Sequence, residues 1–175
     1  MKRPLMSASL AAAFVLFACS AMAQEQSAAR TVRAVLNSYQ ENPTLSTTGA
    51  GELTLTINDE TMTIDYVLTY SGLEGGAATA AHIHVGTRHV NGGISAFLCG
   101  GGDKPACPAT AGTVEGTIDP ADIIGPAAQG LPAGAFEEFV GLIRLGVTYV
   151  NVHTPTWPGG EIRGQIQDNN QRIPR

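Results

Sequence analysis

From residue 31 onward, apolar and polar positions alternate with period two, the spacing of a half-buried strand. Thr31 to Asn37 puts Val32, Ala34 and Leu36 on one face. Gly51 to Ile57 does the same with Leu53, Leu55 and Ile57, leaving Glu52, Thr54 and Thr56 on the other. Asn58-Asp59-Glu60 is a tight connection into Thr61 to Tyr70, where Met62, Ile64, Tyr66, Leu68 and Tyr70 share a face, so the two runs predict a hairpin. Glycines at 72, 75 and 76 end that pattern, and a short strand follows through Ala81-His82-Ile83-His84-Val85 to Gly86. After the turn Asn91-Gly92-Gly93 come Ile94 to Leu98 and Gly112 to Ile118 as further strands. Asp119 to Gly134 is rich in Gly, Pro and Ala and suggests one helical turn at Ala121 to Ile124.

Ala135 to Leu145 breaks the β pattern. Phe136, Phe139, Val140 and Ile143 fall at i, i+3, i+4 and i+7, with Glu137 and Glu138 near the start and Arg144 near the end, so an amphipathic helix satisfies both the period and the helix dipole. Two strands close the chain, Val147 to His153 and Glu161 to Gln167, joined by Pro155-Thr156-Trp157-Pro158-Gly159-Gly160. The sum is an all-β fold, an antiparallel Greek-key β-sandwich or barrel of seven to eight strands with one short helix.

The N-terminus belongs to no such element. Lys2 and Arg3 precede the apolar or small stretch Leu5 to Phe17, and Ala21-Met22-Ala23 fits a signal-peptidase site, so residues 1–23 read as a secretory signal of bacterial type. The alternative is a lipoprotein signal that leaves Cys19 as the lipidated N-terminus, which the bulky Phe17 fits poorly. Residues 24–30 are then a linker, 31–168 the domain and 169–175 a tail, with no transmembrane segment after cleavage and a periplasmic or secreted address. Removing Lys2 and Arg3 takes the formal charge from −5 to −7, which argues against a nucleic-acid partner. Cys99 and Cys107, with seven residues between them, read as a disulfide closing a Gly/Pro-rich loop in an oxidising compartment.

Candidate chemistry gathers on the faces turned away from the core. His82 and His84 lie on one strand face, opposite Ile83 and Val85. If Val150 and Val152 point inward, Tyr149, Asn151 and His153 point outward, and if Ile162 and Ile166 point inward, Glu161, Arg163 and Gln165 do so too. Should these strands be neighbours, His82, His84 and His153 form a transition-metal site, with copper favoured over zinc, and Tyr149, Asn151, Arg163, Glu161 and His89 lie around it. The competing reading makes the histidines structural hydrogen-bonding groups, with Arg163 paired to Glu161 or a loop carboxylate, in a non-enzymatic module that binds an extracytoplasmic protein. Haem or another small ligand held by one histidine is a third reading. Trp157 is placed to cover the site or a partner surface. The chain carries no Gly-x-Ser-x-Gly and no strand-to-helix phosphate loop, which removes the esterase-type hydrolases and nucleotide binding as readings.

The segments Gly51-Glu52-Leu53, Ala81-His82-Ile83-His84-Val85-Gly86, Asn91-Gly92-Gly93, Tyr149-Val150-Asn151-Val152-His153-Thr154 and Gly159-Gly160-Glu161-Ile162-Arg163-Gly164-Gln165-Ile166 resemble those of the CHRD domain, first named from chordin. That resemblance implies an extracellular or periplasmic β-sandwich and carries no agreed activity. An His-x-His strand, a late strand ending in His and a closing Gly-x-x-Arg-Gly strand are also similar, more distantly, to copper/zinc superoxide dismutases. That likeness implies copper ligands at His82, His84 and His153 and an anion-steering Arg163. The chain lacks the further His and Asp cluster that holds zinc in those enzymes, so dismutase activity stays a minor alternative.

Overall fold

The alternating segments become eight strands in a computed structural model, which describes residues 30–167. They are β1 (Arg30–Asn37), β2 (Ala50–Asn58), β3 (Thr63–Ser71), β4 (Ala80–Val85), β5 (Ile94–Cys99), β6 (Gly112–Ile118), β7 (Thr148–His153) and β8 (Ile162–Gln165), with helix α1 (Phe136–Arg144) between β6 and β7. Residues 1–23, read above as a secretory signal, with Cys19, residues 24–29 of the expected linker and the C-terminal tail, lie outside the described residues.

One antiparallel sheet runs in the order β5-β4-β7-β8-β1-β2-β3-β6 and curls until its two edges nearly meet. Strand β7 returns beside β4 after the β4, β5 and β6 excursion, and β6 returns beside β3, which is the Greek-key path. At the seam between β5 and β6, Tyr66 reaches across from β3 and its hydroxyl donates to Leu98 O at 2.7 Å. Gly116 on β6 makes that crossing possible, since a Cβ there would stand 2.5 Å from the Tyr66 hydroxyl. The disulfide Cys99–Cys107 ties the end of β5 to the connection leading to β6. Lys104 in the same loop lies 2.8 Å from Asp122 and 2.9 Å from Asp103, and donates to Thr117 O.

The inward faces fill the barrel as the alternation predicts. Val32, Ala34, Leu36, Leu53, Leu55, Ile57, Ile64, Tyr66, Leu68 and Tyr70 are buried, and so are Ile83, Val150, Val152, Ile162 and Ile166. Helix α1 adds Phe136, Phe139, Val140 and Ile143 to that core, and its Arg144 binds Asp59 in the β2–β3 turn at 2.6 Å. Two expectations need correction. Met62 lies outside the strand and is exposed, with φ 53, because the β2–β3 turn extends to it before β3 begins. The turn expected at Ala121 to Ile124 is a 3-10 turn at Pro120–Asp122, shifted by the Asp119 side chain, which caps it, and by Pro120 at its first position.

The Cys99–Cys107 bridge closes a short loop with a separation of eight residues. Chain-entropy reasoning assigns such a loop about 2–3 kcal/mol. A Cys99→Ala/Cys107→Ala protein is expected to lose about that much in urea unfolding while still folding, because Lys104 and Tyr66 hold the same region.

Candidate metal centre

The order β4-β7-β8 brings the three polar strand faces together, and the register aligns them row by row. His82 pairs with Asn151, which pairs with Arg163; His84 pairs with Tyr149, which pairs with Gln165; and Ala80 opposite His153 sets that ring diagonally beside His82. The outward face is nevertheless buried. Arg163, Tyr149 and Asn151 are each 2% exposed and the three histidines 6–8%, because connecting segments fold over the sheet. One cover is the 86–93 segment, another is the 154–160 turn, and a third is the stretch after β1 that carries Glu41.

His82 Nδ1 lies 2.9 Å from His153 Nε2, and one nitrogen from each of His82, His84 and His153 falls within 4.8 Å of the other two. Two nitrogens on opposite sides of one ion are about 4.0–4.2 Å apart, so reaching that span needs a closure of at most about 0.6 Å. The outer nitrogens are already committed. His84 Nδ1 donates to Gly92 O at 3.0 Å and His153 Nδ1 to Pro158 O at 2.9 Å. Each of those neutral rings therefore carries its proton on Nδ1 and turns a bare Nε2 inward, the arrangement carbonyl partners impose on metal-binding histidines. His84 Nε2 is buried and has no hydrogen-bond partner among the described residues.

The surrounding residues orient this cluster. Tyr149 stacks on His84 with rings 3° from parallel and centroids 4.7 Å apart. The Arg163 guanidinium lies 3.4 Å from the Tyr149 ring centroid. Its amino groups donate to Asn91 Oδ1, Thr87 O and Val90 O at 2.8–3.1 Å. Gly92 N–H donates to the Tyr149 hydroxyl. Arg163 and Tyr149 thus pin the loop whose Gly92 carbonyl aims His84. Phe97 meets the His82 ring edge-on at 4.5 Å.

Several residues expected around the site have other work. Arg163 is paired with neither Glu161 nor a loop carboxylate; carbonyl oxygens and an amide take its protons. The Glu161 carboxylate accepts from Glu74 N, Gly75 N and the Thr154 hydroxyl, which fixes the β3–β4 connection against the 154–160 turn. His89 is exposed in the 86–93 segment with φ 63, and its carbonyl accepts from Asn42. Trp157 is half-buried, and its turn supplies Pro158 O to His153 and Gly159 O to Asn151.

Sequence reasoning missed Glu41, which is 3% exposed beside Asn151 and Gly160. The polar run Gln40-Glu41-Asn42-Pro43 looks like a solvated turn, and no local pattern marks one of its members as buried. Burial pushes the Glu41 carboxyl up to about 7 against the pull of the Asn42 backbone N–H and Arg163. Burial, reinforced by the neighbouring imidazoles, lowers His82 to about 3 and His84 to about 4. His153 is lowered as well, again by burial.

These shifts predict how the metal-free protein responds to acid. Histidines depressed on folding contribute stability that is complete above their unfolded value of 6.5 and is lost as pH falls toward 3–4. Glu41 acts in the opposite sense, contributing fully below its unfolded value of 4.5 and losing that contribution as pH rises through about 7. Each unbalanced proton is worth about 1.4 kcal/mol per pH unit. Two histidines outweigh one carboxyl, so the urea midpoint in chelator is expected to fall from pH 6.5 to 4.5 and faster below. Glu41→Gln steepens the first part of that fall. A flat profile in both proteins would contradict the assignment.

The fold and site define an antiparallel β-barrel protein with a buried three-histidine cluster on the outside of the sheet. The sequence matches the CHRD domain over residues 32–166, and the chain belongs to the CHRD domain family. CHRD domains are extracellular modules, and the disulfide suits an oxidising compartment. No curated protein and no solved structure matches the chain.

Proposed function

We propose that this CHRD domain is an extracytoplasmic copper-binding protein whose ligands are His82, His84 and His153. The observation that carries the reading is the buried, unpartnered Nε2 of His84, aimed at the two other rings while carbonyls hold the Nδ1 protons of His84 and His153. Leaving such an atom without a partner costs about 1–3 kcal/mol, which a bound ion recovers. Neutral imidazoles suit copper and zinc, and copper(II) stands highest in the affinity order of the divalent ions. Arg163 is committed to the 86–93 loop, so the proposal stops at binding and does not extend to dismutase turnover. Residues 1–23 act as the export signal in this reading, and the mature chain begins at Gln24.

The test is metal analysis of untagged protein purified from the extracytoplasmic fraction, with its N-terminus read by mass spectrometry. One copper per chain is expected, with nitrogen coupling from three imidazoles in the copper(II) paramagnetic resonance spectrum. Protein that arrives empty and takes up neither copper nor zinc on titration would leave the histidines as structural groups of an interaction module, joined by a His82 Nδ1–H bond to His153 Nε2.

A further inference from the structure

We propose that Asn151 is the fourth ligand of this centre, binding the ion through Oδ1, and that Glu41 behind it holds the amide, so that the site favours a divalent ion over a monovalent one. The inference rests on the metal-binding reading above and adds a donor that sets the oxidation state. His153 places its proton on Nδ1 against Pro158 O, which leaves Nε2 bare. Asn151 Nδ2 donates to Gly159 O at 3.2 Å, and this fixes the amide so that Oδ1 faces His153 Nε2 at 2.9 Å. Flipping the amide would set its oxygen against the Gly159 carbonyl and beside the Glu41 carboxylate. Two acceptors therefore confront each other in a buried space, with no proton between them in the neutral ring.

That contact repels as it stands, yet it is the right spacing for neighbouring ligands of one ion. Donors at about 2.0–2.2 Å from an ion and at right angles to each other are about 2.8–3.1 Å apart. His82 Nδ1 stands at the same 2.9 Å from His153 Nε2, on the ladder position paired with Asn151. With His84 Nε2 the set is three imidazole nitrogens and one neutral oxygen. An amide oxygen is a hard donor, so it adds affinity for copper(II) or zinc and little for copper(I).

Glu41 completes the arrangement from the far side. Its Oε1 is buried with no hydrogen-bond partner among the described residues and lies beside Asn151 Nδ2. Gly160, at φ +125, is what lets the two approach: a Cβ there would stand 2.2 Å from Glu41 Oε1 and 2.6 Å from Asn151 Nδ2. An acceptor oxygen behind the NH₂ group polarises the amide toward Oδ1.

The experiment measures affinities for copper(II) and, by competition with a copper(I) chelator, for copper(I), in wild type, Asn151→Ala, Asn151→Asp and Glu41→Gln proteins. Asn151→Ala is expected to lose at least about tenfold in copper(II) affinity with copper(I) nearly unchanged. A tenfold change in one oxidation state alone raises the reduction potential of the bound copper by about 59 mV. Asn151→Asp, which keeps an oxygen in place, should retain copper(II) and serves if the alanine protein fails to fold. Glu41→Gln should move affinity in the same direction as Asn151→Ala, by a smaller factor. Unchanged affinities in Asn151→Ala, or equal losses for both oxidation states, would overturn the ligand role while leaving three-histidine binding intact. A wild type that binds neither state defeats the metal reading itself, a distinct result.

Discussion

A protein carrying both His82→Ala and His84→Ala should hold no copper under conditions where the wild type holds one ion per chain. The two rings come from one strand, and their removal leaves His153 as the only imidazole in the cluster. Losing two of three nitrogen donors is expected to lower affinity by at least about 10⁴-fold, since even a single partner that only orients a ligand is worth about 10–100-fold. The same substitution should not unfold the chain. His82 and His84 point away from the barrel interior, and their removal takes away groups that must stay neutral in a buried place. Below pH 6 the double variant is therefore expected to be more acid-resistant than metal-free wild type. Urea unfolding across pH, run beside the metal titration, checks both. Copper retained at full stoichiometry by the double variant would move the binding site elsewhere.

The second large effect is expected from Arg163. Its side chain is 2% exposed, covers Tyr149 and supplies the donors for Thr87 O, Val90 O and Asn91 Oδ1. Arg163→Ala should cost about 3 kcal/mol in unfolding free energy, from lost charge-assisted hydrogen bonds and the uncovered ring. It should also weaken metal binding about 10–100-fold without touching a ligand, because the 86–93 segment carries the Gly92 carbonyl that orients His84. Arg163→Lys separates the clamp from a purely electrostatic role. A lysine keeps the charge but has no planar fork to reach separate carbonyls at once, so it should recover little of either loss. Recovery of both by lysine would point instead to a simple effect of positive charge near the site.

These expectations show where the chain could be read locally and where it could not. The period of two in Leu53, Leu55 and Ile57, or in Val150 and Val152, fixes which side chains enter the core, because a strand cannot turn one of them without turning all. The same rule puts His82 and His84 on the face away from Ile83 whatever strands lie beside them. The helix was equally legible, since Phe136, Phe139, Val140 and Ile143 follow the helical period and end up buried together. Met62 departs from the pattern because nothing in an apolar residue in phase with a strand announces that it is itself a left-handed turn residue ahead of that strand.

The cluster needed more than alternation. That His153 reaches His82 follows from β4 lying beside β7, a pairing between segments about seventy residues apart that only the tertiary fold selects. The burial of the outward face depends on which loops fold over it, and loop residues such as Glu41 and Asn91 look alike in sequence whether covered or solvated. Even the roles of Arg163 and Glu161 were decided there. Both were visible as outward-facing charges on one short strand, but the nearest partners in space were carbonyl and amide groups of the 74–75 and 87–91 segments.

By itself, then, the sequence determined the strands, their inward faces, the helix and a histidine pair on one outward face, because those follow from short-range periodicity. The tertiary structure decided that three rings meet, which nitrogen of His84 and His153 is bare, and that Asn151 and Glu41 stand with them. Those properties arise from strand order and loop packing, which are set by contacts between distant parts of the chain and leave no periodic trace in it.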